Sequence, residues 1–333
     1  MKTFLITFLS VLANFCYSQK AQNIYYFKGN EIPVKTKEEA EYIRVIQEPD
    51  SGSVLYNLLE FYSDNTKKTL GTVSKFEPKL VYEGQVVTFY NNGKKRDIGN
   101  YKNGDQLGDR FEYYKNGHLK KRGTYEKLDK QILLPGELKP TIAKYKLWDY
   151  FDSTGVQLVK DGNGIYKSNK NDSEIIEEGA YKDGVKDGQW TGEYPKYSAS
   201  FDERYENGKL VFGKAKLADG SITEYTSEEV MPQFKGGIQK FYSYVQRAFR
   251  YPVYFQQRGV TGMVVISFVV QTDGTLSEVK VIRDLGHGTG EEAMRVVRSS
   301  PKWTPGLQHG IPVKVFYTLP LSLNLQVLGP TKY

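Results

Sequence analysis

One cysteine and three histidines are all that 333 residues offer for thiol or imidazole chemistry. The cysteine, Cys16, lies at the end of the apolar run 4–15, so a chain cut after Ser18 carries none. Disulfides and thiol catalysis are thereby excluded, and each domain must hold by packing alone. His118, His287 and His309 have no partner at metal-ligand spacing, and without thiolates a zinc site would need carboxylates. Long hydrophobic runs are missing as well, since the run 4–15 falls short of the roughly 20 residues that span a bilayer. Prolines number 13 and are dispersed, so no Pro-rich spacer is present. Neither sign of charge is segregated. The 46 Lys and Arg interleave with 39 Asp and Glu, no basic stripe stands out, and no nucleic-acid partner is expected.

Catalytic patterns are equally sparse. There is no Gly-x-Ser-x-Gly elbow. Gly286-His287-Gly288-Thr289-Gly290 lacks the Lys-Ser/Thr of a phosphate-binding loop and reads as a turn before a helix. The acid pairs Glu177-Glu178, Glu228-Glu229 and Glu291-Glu292 read as solvated charge or helix-start acids. We expect no enzyme and no cofactor.

The first residues have the form of an export signal: Lys2, the apolar run, then small residues Cys16 and Ser18 at −3 and −1 to a cut before Gln19. The expectation is a signal over 1–18 and a soluble periplasmic chain. An uncleaved signal would instead anchor the protein in the inner membrane. Phe15 stands where a lipoprotein signal wants a small residue, which argues against lipidation of Cys16. The length that remains suggests about two domains.

The middle of the chain repeats. Tyr90-Asn91-Asn92-Gly93 recurs 24 residues on as Tyr114-Lys115-Asn116-Gly117, and Tyr101 and Tyr125 share that offset. Asn-Gly and Asp-Gly favour two-residue hairpin turns, because both central positions take positive φ. They occur at Asn92-Gly93, Asn103-Gly104, Asn116-Gly117, Asp183-Gly184, Asp187-Gly188, Asn207-Gly208 and Asp219-Gly220. Runs such as 86–90 and 110–114 between them are β-branched and aromatic, as strands require. An all-β hairpin-repeat domain over 19–226 follows, its aromatic ladder read as core. Clear units cover 82–127 and 177–212, with degenerate ones at Tyr62, where Asn65 takes the Gly slot, and around 151–155. The segment 128–146 reads as an inserted loop, and 37–45 as a short helix with Thr36 as N-cap and Glu39 closing a capping box. The array resembles MORN-like repeats, with their Tyr-x-Asn-Gly and Gly-x-Trp signatures, the latter as Gly188-Gln189-Trp190.

Residues 231–328 form a second domain. Ile238, Phe241, Tyr242, Val245, Ala248 and Phe249 recur at spacings of three and four, which predicts a helix over 238–250 ended by Tyr251-Pro252. Alternation over 262–271 predicts a strand, Asp273-Gly274 a turn, and 276–283 the returning strand. Residues 290–299 read as a second helix stopped by Pro301, and 312–325 as a final strand. The expected fold is α+β, a three-stranded antiparallel sheet with two helices on one face. Trp303 and Phe268 are candidate core anchors.

The anchors run Pro232-x-Phe234-x-Gly236-Gly237, Tyr251-Pro252, Gly262-x-Val264-x-Ile266-x-Phe268-x-Val270 and Asp273-Gly274. They continue as Ala293-x-Arg295-Val296-Val297, Ser300-Pro301-x-Trp303-x-Pro305-Gly306 and Pro312-Val313. In order and spacing they resemble the C-terminal domain of TonB, the periplasmic protein that grips outer-membrane receptors. The resemblance implies an interaction role: the last strand of that domain receives the TonB box of a TonB-dependent receptor as an added strand. Carried onto this chain, it designates Val313, Lys314, Val315, Phe316, Tyr317, Thr318 and Leu319 as receiving residues, with Tyr251 and Pro252 in the neighbouring contact region. Arg247 and Arg250 stand where some members carry amides. An energy-transducing TonB also has an uncleaved membrane helix and a Pro-rich spacer, and here a hairpin array takes the spacer's place. An inner-membrane energising complex is a partner only if the N-terminus stays uncleaved. A second reading is an envelope scaffold whose hairpins bind a protein or wall polymer.

Overall fold

The computed structural model describes residues 21–29, 31–77, 79–132, 141–168 and 173–325. The export-signal segment and the last residues of the chain lie outside them. The chain divides into two compact units between His118 and Leu119.

The first unit is all strand: β1 (Gln22–Lys28), β2 (Ile32–Val34), β3 (Tyr42–Gln47), β4 (Tyr56–Tyr62), β5 (Lys67–Lys75), β6 (Val81–Phe89), β7 (Lys95–Lys102) and β8 (Asp105–Tyr113). From β3 to β8 each strand pairs antiparallel with the next, and β1 pairs with both β2 and β3. The expected helix over 37–45 is not there. Residues 37–40 close a turn, with Ala40 N–H donating to the Lys37 carbonyl, and β3 follows. Tyr42, Arg44 and Ile46 alternate into the buried side, and β3 pairs on both edges. A period of two backed by ladders on either side outweighs one capping pattern. Buried Arg44 is neutralised in place, its guanidinium 2.8 Å from Glu60, which also takes Lys68 at 2.7 Å.

In the second unit the meander resumes with β9 (Leu119–Ile132), β10 (Thr141–Phe151), β11 (Gln157–Lys160), β12 (Asn163–Lys167) and β13 (Ile176–Lys182). It continues through β14 (Val185–Tyr194), β15 (Ala199–Glu206), β16 (Lys209–Lys216) and β17 (Ile222–Tyr225), each paired antiparallel with the next. The described flanks of the expected inserted loop, 128–132 and 141–146, are strand instead, because β9 and β10 extend each other's ladder to the pair Ile132–Thr141; the Pro- and Gly-bearing part, 133–140, lies outside the described residues. Asn103-Gly104, Asp183-Gly184 and Asn207-Gly208 form two-residue turns with positive φ at both positions. Asp187-Gly188 does not turn the chain. It lies inside β14, where the register with β13 shifts, and Gly188 supplies the left-handed residue of a bulge. Asn65 takes the same φ, 66°, as a glycine would at a turn.

The repeating Gly and aromatic residues pair across strands. A Cβ on Gly179 would stand 2.2 Å from the Trp190 ring opposite it, and one on Gly192 2.1 Å from Phe201. Each glycine leaves room for a ring from the next strand, and the rings stack into a core of Tyr150, Tyr166, Trp190 and Tyr205.

The C-terminal domain holds two small sheets. β18 (Glu229–Val230), β21 (Gly306–Gln308) and β22 (Ile311–Val313) form one, in the order β18-β21-β22. β19 (Val260–Val270), β20 (Leu276–Arg283) and β23 (Val315–Leu325) form the other, in the order β20-β19-β23. The expected single final strand is therefore two, broken at Lys314, with β22 in one sheet and β23 in the other. Helices α1 (Ile238–Ala248) and α3 (Thr289–Arg298) bury Phe241, Val245, Ala293, Val296 and Val297 against Val264, Ile266 and Phe268 of β19 and Leu319 and Leu321 of β23. A short α2 (Val253–Arg258), for which six residues gave no periodic signal, follows Pro252. Trp303 is buried among Phe241, Phe268 and Tyr317, with its indole N–H 3.2 Å from Ser300 Oγ.

Candidate functional site: an open sheet border

β23 pairs with β19 over eleven residues without a register shift, from Val260–Leu325 to Val270–Val315. Among the described residues, no strand pairs with its other border. The side chains alternate strictly: Tyr317, Leu319, Leu321 and Leu323 are buried, while Phe316, Thr318, Pro320, Ser322 and Asn324 are exposed. Pro320 fixes which amides point where. It has no N–H to give, and the ladder passes through it unbroken, so it occupies a position whose backbone faces away from β19. By the two-residue period, Phe316, Thr318, Ser322 and Asn324 turn their backbone groups outward too. The border is thus a row of donors and acceptors with one gap, at Pro320.

A groove of ≈ 470 Å³ runs beside the second half of this border. Tyr242, Val245 and Gln246 of α1 and Phe249 at its C-cap form one wall, Tyr251 closes an end, and residues 320–324 of β23 form the floor. α1 shows this face because its apolar positions recur at helical spacing, and its end is pinned: Arg295 donates to the Ala248 carbonyl at 2.7 Å, and Arg250 N–H to Glu292 at 2.7 Å. Glu292 is held below the usual carboxylate range by its hydrogen bonds from Arg295, which outweigh its partial burial. Burial pushes the Tyr242 and Tyr317 hydroxyls up, so both stay neutral hydrogen-bonding groups at physiological pH.

The residues singled out from sequence are distributed as follows. Tyr251 lines the groove, its ring edge-on to Phe249 at 5.2 Å, and Pro252 caps α2 directly behind it. Phe316 and Thr318 lie on the exposed side of β23, Phe316 being 65% exposed. Tyr317 and Leu319 face the core, Tyr317 stacked on Phe268 at 5.7 Å. Val315 begins the strand half-buried. Val313 is elsewhere: it belongs to β22, pairs with Gly306, and packs with Ile311 against Tyr194, Phe201 and Ala215 of the hairpins. Lys314 bridges the two strands, and its N–H donates to Tyr197 Oη at 3.2 Å.

His309, which the sequence sets aside only as a metal ligand, has a packing role in the structure. Its ring stacks on Phe201 at 4.2 Å and its Nδ1 lies 2.7 Å from Glu203 Oε1, deep in the contact between hairpins and C-terminal domain. Glu203 also accepts the hydroxyls of Tyr225 and Tyr205, each at 2.8 Å. Burial alone would raise its carboxyl, but the bonds from His309, Tyr205 and Tyr225 prevail and hold it below its ordinary value. The nearest signal in the sequence was His309-Gly310 itself, a turn pair at positive φ between two short strands. Among the described residues, no cluster of His, Cys, Asp or Glu is arranged to hold a metal, and no helix is long and apolar enough to cross a membrane.

The sheet has two outer borders, β20 and β23, and of these β23 is the one whose residues 320–324 line the groove against α1; an unpaired border of this kind can accept an extended chain. Residues 247–325 match the family described as Gram-negative bacterial TonB protein C-terminal, a span that runs from the end of α1 to the end of β23 and leaves the hairpins outside. The match supports a TonB-like domain of envelope energy transduction. No curated protein matches the chain.

Proposed function

We propose that this chain works in the periplasm, binding the TonB box of an outer-membrane TonB-dependent receptor as a fourth strand on β23 in support of energised transport across the outer membrane. The observation that carries this reading is the unpaired border of β23 beside the groove between α1 and residues 320–324. Main-chain bonds to the outward backbone groups of Phe316, Thr318, Ser322 and Asn324 supply affinity. Side chains of the guest meet Tyr251 and the α1 wall, which supply selection. Strand addition would bury no charge of the border itself, since residues 315–325 carry none.

Backbone parity gives the test. Thr318→Pro and Ser322→Pro each delete an outward donor, worth about 1 kcal/mol or roughly fivefold in Kd, while leaving the ladder to β19 intact. Leu319→Pro deletes an inward donor and breaks that ladder. Binding of a TonB-box peptide from a receptor of the same cell, measured by titration calorimetry beside thermal melts, should therefore weaken in the first two without loss of fold and collapse together with the fold in the third. Undiminished binding by both Thr318→Pro and Ser322→Pro would remove the strand-addition reading.

A further inference from the structure

The border of β23 has a built end, and the hairpins build it. The turn between β21 and β22, just ahead of β23, is gripped by β15–β17: His309 inserts its ring against Phe201 and Glu203, and Gly310 lies so close to Tyr225 that a Cβ there would be 2.4 Å from the ring. Ile311 and Val313 complete the contact with Phe201 and Ala215. One residue further, Tyr197 takes the Lys314 amide at 3.2 Å. The Tyr197 ring is itself held edge-on by Tyr194 at 4.7 Å, and the residue ends a short 3-10 turn over Pro195–Tyr197. The backbone amide immediately before the open border is therefore already spent on the hairpin array, and the half-buried Val315 packs against the same cluster.

We infer that the hairpin array is part of the peptide site: Tyr197 is a stop that sets the register of an incoming strand, confining it to the border from Phe316 to Asn324. This rests on the proposed strand addition. The permitted border is about 27 Å long at the usual rise per residue, room for about nine residues of guest chain. Register on an otherwise uniform edge is weakly specified unless something fixes one end. A wall supplied from outside the sheet does so without altering the sheet's own backbone. The wall does not act on the chemistry of the guest, so Tyr197 is a positioning residue for binding.

Crosslinking tests it. With Cys16, the one cysteine of the sequence, replaced by Ser, a full-length Phe316→Cys or Thr318→Cys chain reports one position. A panel of TonB-box peptides, each with one cysteine at a different place, is then oxidised against it. The parent hydroxyl wall should give one dominant crosslinked peptide position. Tyr197→Phe frees the Lys314 amide and should add a second register displaced by two residues. Tyr197→Ala removes the wall and should spread crosslinking over several positions, with affinity falling only a few-fold. Melting curves identify any variant that has lost its fold, for which Tyr197→Phe is the conservative control. Unchanged single-register crosslinking in both variants overturns the inference while leaving strand addition standing. Absence of any crosslink or binding in the chain with Tyr197 intact overturns both.

Discussion

Trp190 and Gly179 show what single residues contribute to the hairpin array. Trp190 is fully buried, its Nε1 donates to the Ala180 carbonyl at 3.1 Å, and Lys186 Nζ lies 4.3 Å over its ring. Trp190→Ala should cost about 3–5 kcal/mol, the range for deleting a large buried aromatic. Gly179→Ala would drive a methyl into that ring and should cost about 1–3 kcal/mol by overpacking. Both are read as a fall in the urea midpoint by circular dichroism. The Gly and aromatic alternation was visible in sequence, and so was its meaning as core. The pairing partner of each glycine was not, because it depends on register. Irregularities such as the one at Gly188, which moves the register by two residues, look like turns in sequence.

Among elements, the β19–β20 connection and β23 are the most informative. Gly274 sits at φ 80° with Trp303 N–H donating to its carbonyl at 2.8 Å, and a Cβ there would meet Trp303 O at 1.9 Å. Gly274→Ala thus strains the backbone and pushes away the segment that seats Trp303. A red shift in Trp303 emission and a loss of about 1–3 kcal/mol are expected, measured with Trp148 and Trp190 replaced by Phe in both parent and variant. The strands, both main helices and the turn between β19 and β20 were legible because their apolar periods are long and clean. The break at Lys314 was not. Residues 311–325 alternate almost without interruption, and only the competing pairing with β21 divides them. For the candidate site, the exposed half of β23 and Tyr251 followed from sequence and resemblance, whereas the groove wall from α1 required packing to appear.

For the molecule as a whole, the second unit joins hairpins to C-terminal domain through a contact that sequence gives no means of finding, since Glu203 and His309 are 106 residues apart. Its pH dependence has a definite sign. Because the Glu203 carboxyl lies below its ordinary 4.5 in the folded chain, its contribution to stability is present above that value and is lost as pH falls through the lowered one. Urea midpoints of the parent and Glu203→Gln should differ at about pH 7 and converge as the acid limit of that window is passed. A gap that persists undiminished to about pH 2 would show that the carboxylate's charge is not what the contact uses.

The eleven-residue pairing of β23 with β19 also decides how this domain meets traction. Rungs of an antiparallel ladder lie perpendicular to the strands. A guest drawn lengthwise along the border would load the rungs beneath it in shear, many sharing the force at once, whereas a guest peeled from one end would open them singly. If a guest strand adds as proposed, the border would therefore be stiff along β23 and yielding across it, so that a guest could be held under lengthwise tension and still be let go by peeling.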